Sequence, residues 1–103
     1  MEESSKVEEN PELLAFFSTI GGHPRIGIAH IGMYVTLYYL YLLNARQSPV
    51  MIRRRQVMEL ARIRGKATYH KCIADLCEAG YIRYEGMKDP GRRSRVWIER
   101  TCE

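Results

Sequence analysis

Residues Gly65–Tyr84 read GKATYHKCIADLCEAGYIRY, a short amphipathic segment that stops at Gly80 and runs on into alternating apolar and polar residues. Tyr69, Ile73, Leu76 and Cys77 recur at i, i+4, i+7 and i+8, the spacing of one buried helical face. The spacing predicts a helix over 66–79, with Gly80 at the position after the C-cap, where a left-handed backbone suits glycine. Arg46, Arg53, Arg54, Arg55, Arg62, Arg64, Lys66 and Lys71 crowd the approach and first half of this helix. Glu59 alone opposes them, so residues 46–71 carry a net charge of about +7.

Working outward from this segment, the chain reads as alternating helices and short strands. Asn10-Pro11-Glu12 is a helix start, with Asn at the N-cap, Pro in the first turn and Glu near the positive end of the dipole. The helix it opens, 11–20, is strongly apolar and must dock on the body or on a second subunit. Gly21-Gly22-His23-Pro24 breaks it. A second helix is expected over 27–44, with Ile31, Val35, Tyr38 and Leu42 as its core face and the tyrosine hydroxyls at the edges. Val50-Met51-Ile52 reads as a short strand. Arg54–Ala61 reads as a helix burying Val57, Leu60 and Ala61, followed by a tight turn at Ile63. After the helix over 66–79, strands are expected over 81–85 and 95–100, joined by a loop whose Asp89-Pro90-Gly91 is a turn signal.

Composition sets bounds. At 103 residues the chain is expected to be one domain over 10–103 behind an acidic, flexible arm over 1–9. Residues 1–12 hold five glutamates against Lys6, and everything after them carries about +8 of the formal +4 total. The arm is expected to be a solvated tail, or a competitor for the basic face. Cys72, Cys77 and Cys102 show no Cys-x-x-Cys spacing, so reduced thiols in a cytoplasmic compartment are expected. Ile26–Leu43 carries no formal charge over a length near the minimum for a membrane span, but His30, two glycines and four tyrosines favour a core helix.

On a helical wheel centred on Ile73, residues Ala67, Thr68, Lys71, Asp75 and Glu78 point outward, with His70 and Ala74 at the boundary. The first turns of that outer face are small, polar or cationic, as a helix entering a major groove ~12 Å wide requires. Lys71 is placed to reach guanine or a phosphate, Thr68 and His70 base edges, and Ala67 a thymine methyl. Arg64, Lys66 and the helix amides are placed to hold phosphates. Lys88, Arg92, Arg93 and Arg95 cluster on the loop over 86–95, suited to a minor groove or a phosphate backbone. Arg53, Arg54 and Arg55 open a helix without a Ser, Thr, Asp or Asn cap and against the helix dipole. Breaking two local rules at once points to a ligand with many negative charges.

The run from His30 to Trp97, carried by HIGMYVTLYYLYLLN, RRRQVMELARI and KATYHKCIADLCEAGYIRYE with RVWIE closing the wing, resembles the small winged helix-turn-helix transcriptional regulators of bacterial chromosomes and mobile elements, especially of Bacteroidetes. The resemblance covers about two-thirds of the chain. It implies duplex-DNA binding, with Lys66, Ala67, Thr68, His70 and Lys71 in the recognition position. The sequence departs from the pattern at Arg53, where a small capping residue is expected, and in its arginine-rich wing; both shift the balance towards backbone contacts.

The expectation is therefore an α+β winged helix-turn-helix: a three-helix core, an extra N-terminal helix and a C-terminal β-hairpin wing. It is expected to bind double-stranded DNA as a cytoplasmic, nucleoid-associated regulator, with a homodimer through 11–20 and 27–44. An architectural DNA-bending factor of a mobile element and a protein-interaction module are the alternatives. His23, His30 and His70 lie on different segments and no nucleophilic, paired-carboxylate or phosphate-loop pattern appears, so no enzyme, cofactor, metal or small-molecule ligand is expected.

Overall fold

A charge-free helix sits at the centre of the structure, and the other elements are arranged to cover it. The computed structural model describes residues 9–86 and 93–99. Helix α1, Pro11–Thr19, runs into a single 3-10 turn, Ile20–Gly22, and is followed by α2, Ile28–Leu43. Strand β1, Val50–Ile52, leads directly into α3, Arg54–Ala61, and α4, Lys66–Glu78; β2, Ile82–Glu85, and β3, Ser94–Ile98, follow. The fold is α+β, with four α-helices and one antiparallel sheet, in the order β1-β3-β2, among the described residues. The element order is the one the sequence predicts. No helix among the described residues is long and apolar enough to cross a membrane.

Helix α2 buries a different face from the one its spacing suggests. Val35 and Leu42 are 43% and 40% exposed, whereas Met33, Tyr34, Leu37, Tyr38 and Tyr41 are buried. The helix is apolar nearly all round, so periodicity alone does not choose a face; aromatic contacts do. Phe16 of α1, fully buried, stacks on Tyr34 with ring centroids 3.9 Å apart and meets Tyr81 edge-on at 4.8 Å. The α2 phenols then find acceptors at the start of α1. Tyr34 donates to the Glu12 carbonyl at 3.2 Å, Tyr38 to Glu12 Oε1 at 3.0 Å and Tyr41 to Glu12 Oε2 at 3.3 Å. Burial, with the Glu12 carboxylate next in effect, pushes the Tyr38 phenol up to about 12. Asn10 occupies the N-cap position, but its side chain turns away from the helix amides to accept from Arg46 Nη2 at 2.8 Å.

Helices α3 and α4 pack on the opposite flank of α2. Val57 is fully buried, whereas Leu60, expected in the core, is 48% exposed. Tyr69, Cys72, Ile73 and Leu76 form the buried face of α4, with Cys77 at its margin. Burial raises the pKa of the Cys72 and Cys77 thiols.

Both helices end in the same way. After α4, Gly80 N–H reaches the Cys77 carbonyl and Tyr81 N–H the Leu76 carbonyl, both at 3.0 Å, around Gly80 at φ +87°. After α3, Arg62 N–H reaches the Glu59 carbonyl at 3.4 Å and Ile63 N–H the Met58 carbonyl at 2.9 Å, but the left-handed position holds Arg62 at φ +62°. The buried Ile63 supplies the apolar contact of this motif.

Because Phe16 joins α1 to both Tyr34 and Tyr81, α1 is part of the core. Phe16→Ala is expected to lower the unfolding free energy by about 3–5 kcal/mol in a urea titration. A loss below ~1 kcal/mol would instead mark α1 as a detachable appendage.

Candidate nucleic-acid interface

The cations of this protein fall into two groups. Along the perimeter they are paired. Arg25 Nη1 lies 2.8 Å from Glu78 Oε1, Arg95 Nη1 3.1 Å from Glu85 Oε1 and Arg83 Nε 3.4 Å from Glu99 Oε2. Arg83 also covers the Trp97 ring at 4.4 Å. Arg46 is tied to Asn10 and Tyr38, and Lys71 Nζ lies 3.2 Å from Asp75 Oδ2. By contrast, Arg53, Arg54, Arg55, Arg62, Arg64, Lys66 and Arg93 are exposed and make no hydrogen bond or ion pair among the described residues.

Five of these unpaired cations converge. Arg54 and Arg55 from the first turn of α3, Arg62 from its left-handed end, Arg64 from the turn and Lys66 from the start of α4 line one open cleft of about 840 Å³. Glu59 is the sole carboxylate lining it, and Met58 and Ile63 form part of its wall. The N-cap of α4, Gly65, has no capping side chain, so the first α4 amides lack an internal acceptor at the cleft's edge. Chemically, the cleft offers groups that can hold oxyanions: five charged donors beside helix amides, with one opposing charge.

Arg53 does not join this group. Together with Arg93 it lines a second cleft of about 530 Å³, beside Leu43 and Met51. The expected Arg53-Arg54-Arg55 clamp is therefore split between two surfaces, because Arg53 is still in extended backbone while Arg54 begins the helix. Ala67, Thr68, His70 and Lys71 lie exposed on the outer face of α4, as the wheel indicates. Asp75, expected to point outward, is turned inward: its side chain is 10% exposed and Oδ2 lies 2.8 Å from His30 Nε2. Arg95 belongs to β3, not to the loop, and its pairing with Glu85 across the strands removes it from the free cations. Lys88 and Arg92 lie outside the described residues.

Arg62, which the sequence counts among the cations of this segment without giving it a ligand-binding role, is a cleft residue. The signal was the Met58/Ile63 apolar pair flanking a helix end with no glycine, which leaves Arg62 itself as the left-handed residue. No group of three or more His, Cys, Asp or Glu capable of holding a metal occurs among the described residues. No family model matches the sequence, and neither a curated protein nor a solved structure matches the chain.

Two outcomes are expected. A left-handed backbone costs a residue bearing a Cβ about 1–2 kcal/mol, so Arg62→Gly should hold or raise stability by up to ~1 kcal/mol in chemical denaturation, whatever it does to ligand binding. Hydrogen bonds from His30 and then Lys71 hold the Asp75 carboxyl below the usual carboxylate range. A depressed folded-state pKa stabilises above the unfolded value and is lost as pH falls through the folded one. Asp75→Asn should thus lower Tm above about pH 5, and the gap from wild type should close as the pH is taken below ~4.

Proposed function

We propose that the chain is a winged helix-turn-helix protein that binds duplex DNA, acting in the cytoplasm as a non-enzymatic transcriptional regulator. Helix α4 is the recognition helix, the α3–α4 cleft holds the phosphate backbone, and the segment over 86–95 serves as the wing. One observation carries this reading: among the described residues, five of the seven unpaired cations gather at the start of α3, its left-handed end and the start of α4, while the perimeter cations are paired. A surface evolved for solubility alone has no reason to concentrate unpaired like charges around one cleft. A polyanion would relieve their mutual repulsion and release the counterions that otherwise screen it. The small exposed side chains at Ala67 and Thr68 support close approach of α4 to a groove.

The proposal includes a second copy of the chain. The exposed side of α2 presents Ile28, Val35, Tyr39 and Leu42, spaced seven, four and three residues apart, on a helix without formal charge. A face of this kind is self-complementary in a two-fold dimer, and two α4 helices would then read half-sites about one helical turn apart.

Fluorescence anisotropy with a mixed-sequence duplex of about 30 base pairs, titrated at several salt concentrations, tests the reading. Micromolar binding is expected, weakening steeply with salt as for five or more phosphate contacts. Arg54→Ala, Arg62→Gly and Arg64→Ala should each lower the salt slope by about one and weaken all duplexes alike, whereas Lys71→Ala should cost about 1–3 kcal/mol on a selected site. Absence of binding at low salt would overturn the proposal in favour of an acidic protein partner.

A further inference from the structure

A polar chain runs from the backbone at the start of α2 to the outer face of α4. The His30 ring, 9% exposed, accepts from the Gly27 N–H at Nδ1 over 3.0 Å. A ring nitrogen that accepts carries no proton, so the proton of the neutral imidazole sits on Nε2 and is donated to Asp75 Oδ2 at 2.8 Å. The same Asp75 oxygen accepts from Lys71 Nζ at 3.2 Å, and the Lys71 side chain is 67% exposed. One carboxylate oxygen is thereby shared between a buried donor fixed to backbone and a cation standing in water.

Local energetics do not account for this arrangement. A lysine four residues before an aspartate is the less favourable order on a helix, and an exposed pair of this kind contributes a few tenths of a kcal/mol at most. A carboxylate on a face that meets phosphates would also repel them. Turned inward onto His30, Asp75 hides most of its charge from that face while keeping one oxygen as an anchor for the Lys71 ammonium.

We propose that His30 is a positioning residue for nucleic-acid recognition: by holding Asp75 inward, it sets where α4 presents the Lys71 ammonium. The inference rests on the reading of α4 as the DNA-facing helix. His30 touches no ligand itself; it acts through Asp75, and the direction it imposes is the difference between an ammonium presented at one base edge and one that wanders among phosphates.

A double-mutant cycle separates positioning from a mere staple between α2 and α4. His30→Ala, Lys71→Ala and the double variant are titrated with a duplex of about 30 base pairs, selected by the wild-type chain from a random pool, and with an unselected duplex; Tm is recorded for each. His30→Ala should weaken the selected duplex by roughly three- to tenfold and the unselected one much less, and that loss should vanish in the Lys71→Ala background while the Tm decrease persists. His30→Gln, which retains an N–H donor for Asp75, should recover part of the selectivity. If His30→Ala does not fold, Asp75→Asn takes its place in the cycle with the same expectation. A loss undiminished in the Lys71→Ala background, or a lower Tm with selectivity unchanged, overturns the proposal alone. A wild-type chain that binds no duplex overturns the DNA reading and this inference with it.

Discussion

Helix α2 has no charged side chain in sixteen residues, and this constraint organises the molecule. A helix of that composition cannot face water on most of its sides, so other elements must surround it. One flank is covered by α1 through the Phe16–Tyr34 stack, and the other by α3 and α4. Its tyrosines solve the polar half of the problem. Each buried phenol is placed where its ring packs and its hydroxyl reaches an oxygen of Glu12, so the buried side of the helix is covered without leaving those hydroxyls unpaired. Tyr81, the residue after the α4-ending glycine, meets the same Phe16 and bonds Thr19 Oγ1 at 2.7 Å. The two ends of the chain's helical region therefore share one aromatic cluster.

On this frame, several departures from local preference lie beside the α3–α4 cleft, in addition to the left-handed Ala45 and Arg46 after α2. Helix α3 begins with two arginines and no capping side chain, and ends with an arginine in a left-handed backbone. Helix α4 begins with an uncapped glycine and a lysine. Each feature costs between a few tenths and about 2 kcal/mol against the preferred residue at its position. Where the same motif closes α4, away from the cleft, the left-handed residue is the favourable Gly80. The chain thus uses the stable solution at one helix end and a cationic one at the other.

The elements most legible in the sequence were those whose two faces differ. In α4, Tyr69, Ile73 and Leu76 alternate with Thr68, His70 and Lys71, and the buried side follows directly from the spacing. In α2 no such contrast exists, so the face was set by long-range aromatic partners that no local window contains. Arg62 was hidden because a helix end is read from glycine, and here glycine is absent. Asp75 was misplaced because its partner, His30, lies on another helix; a wheel sees only the neighbours along α4. Arg95 opens the strand expected over 95–100, but the sequence also counts it with the free wing cations, because its pairing is set only by the strand register that puts Glu85 opposite it. For Asp75, Arg95 and the face of α2, the missing information is a pairing between distant segments; for Arg62 it is a local helix end without glycine.

Those distant pairings also shape the field of the molecule. If Arg25, Arg83 and Arg95 were unpaired, positive potential would surround the protein, and a polyanion could approach from many sides. Glu78, Glu99 and Glu85 instead neutralise them in place. As exposed ion pairs they add little to stability, but they remove competing charge from the perimeter. What remains is concentrated at the α3–α4 cleft, with Arg53 and Arg93 at a second cleft. Under the proposed DNA reading, a phosphate backbone within a Debye length of ~8 Å at physiological ionic strength would meet a directed potential in place of a diffuse one. The perimeter salt bridges would then matter for orientation more than for folding, because they leave the α3–α4 cleft as the side from which a polyanion is drawn.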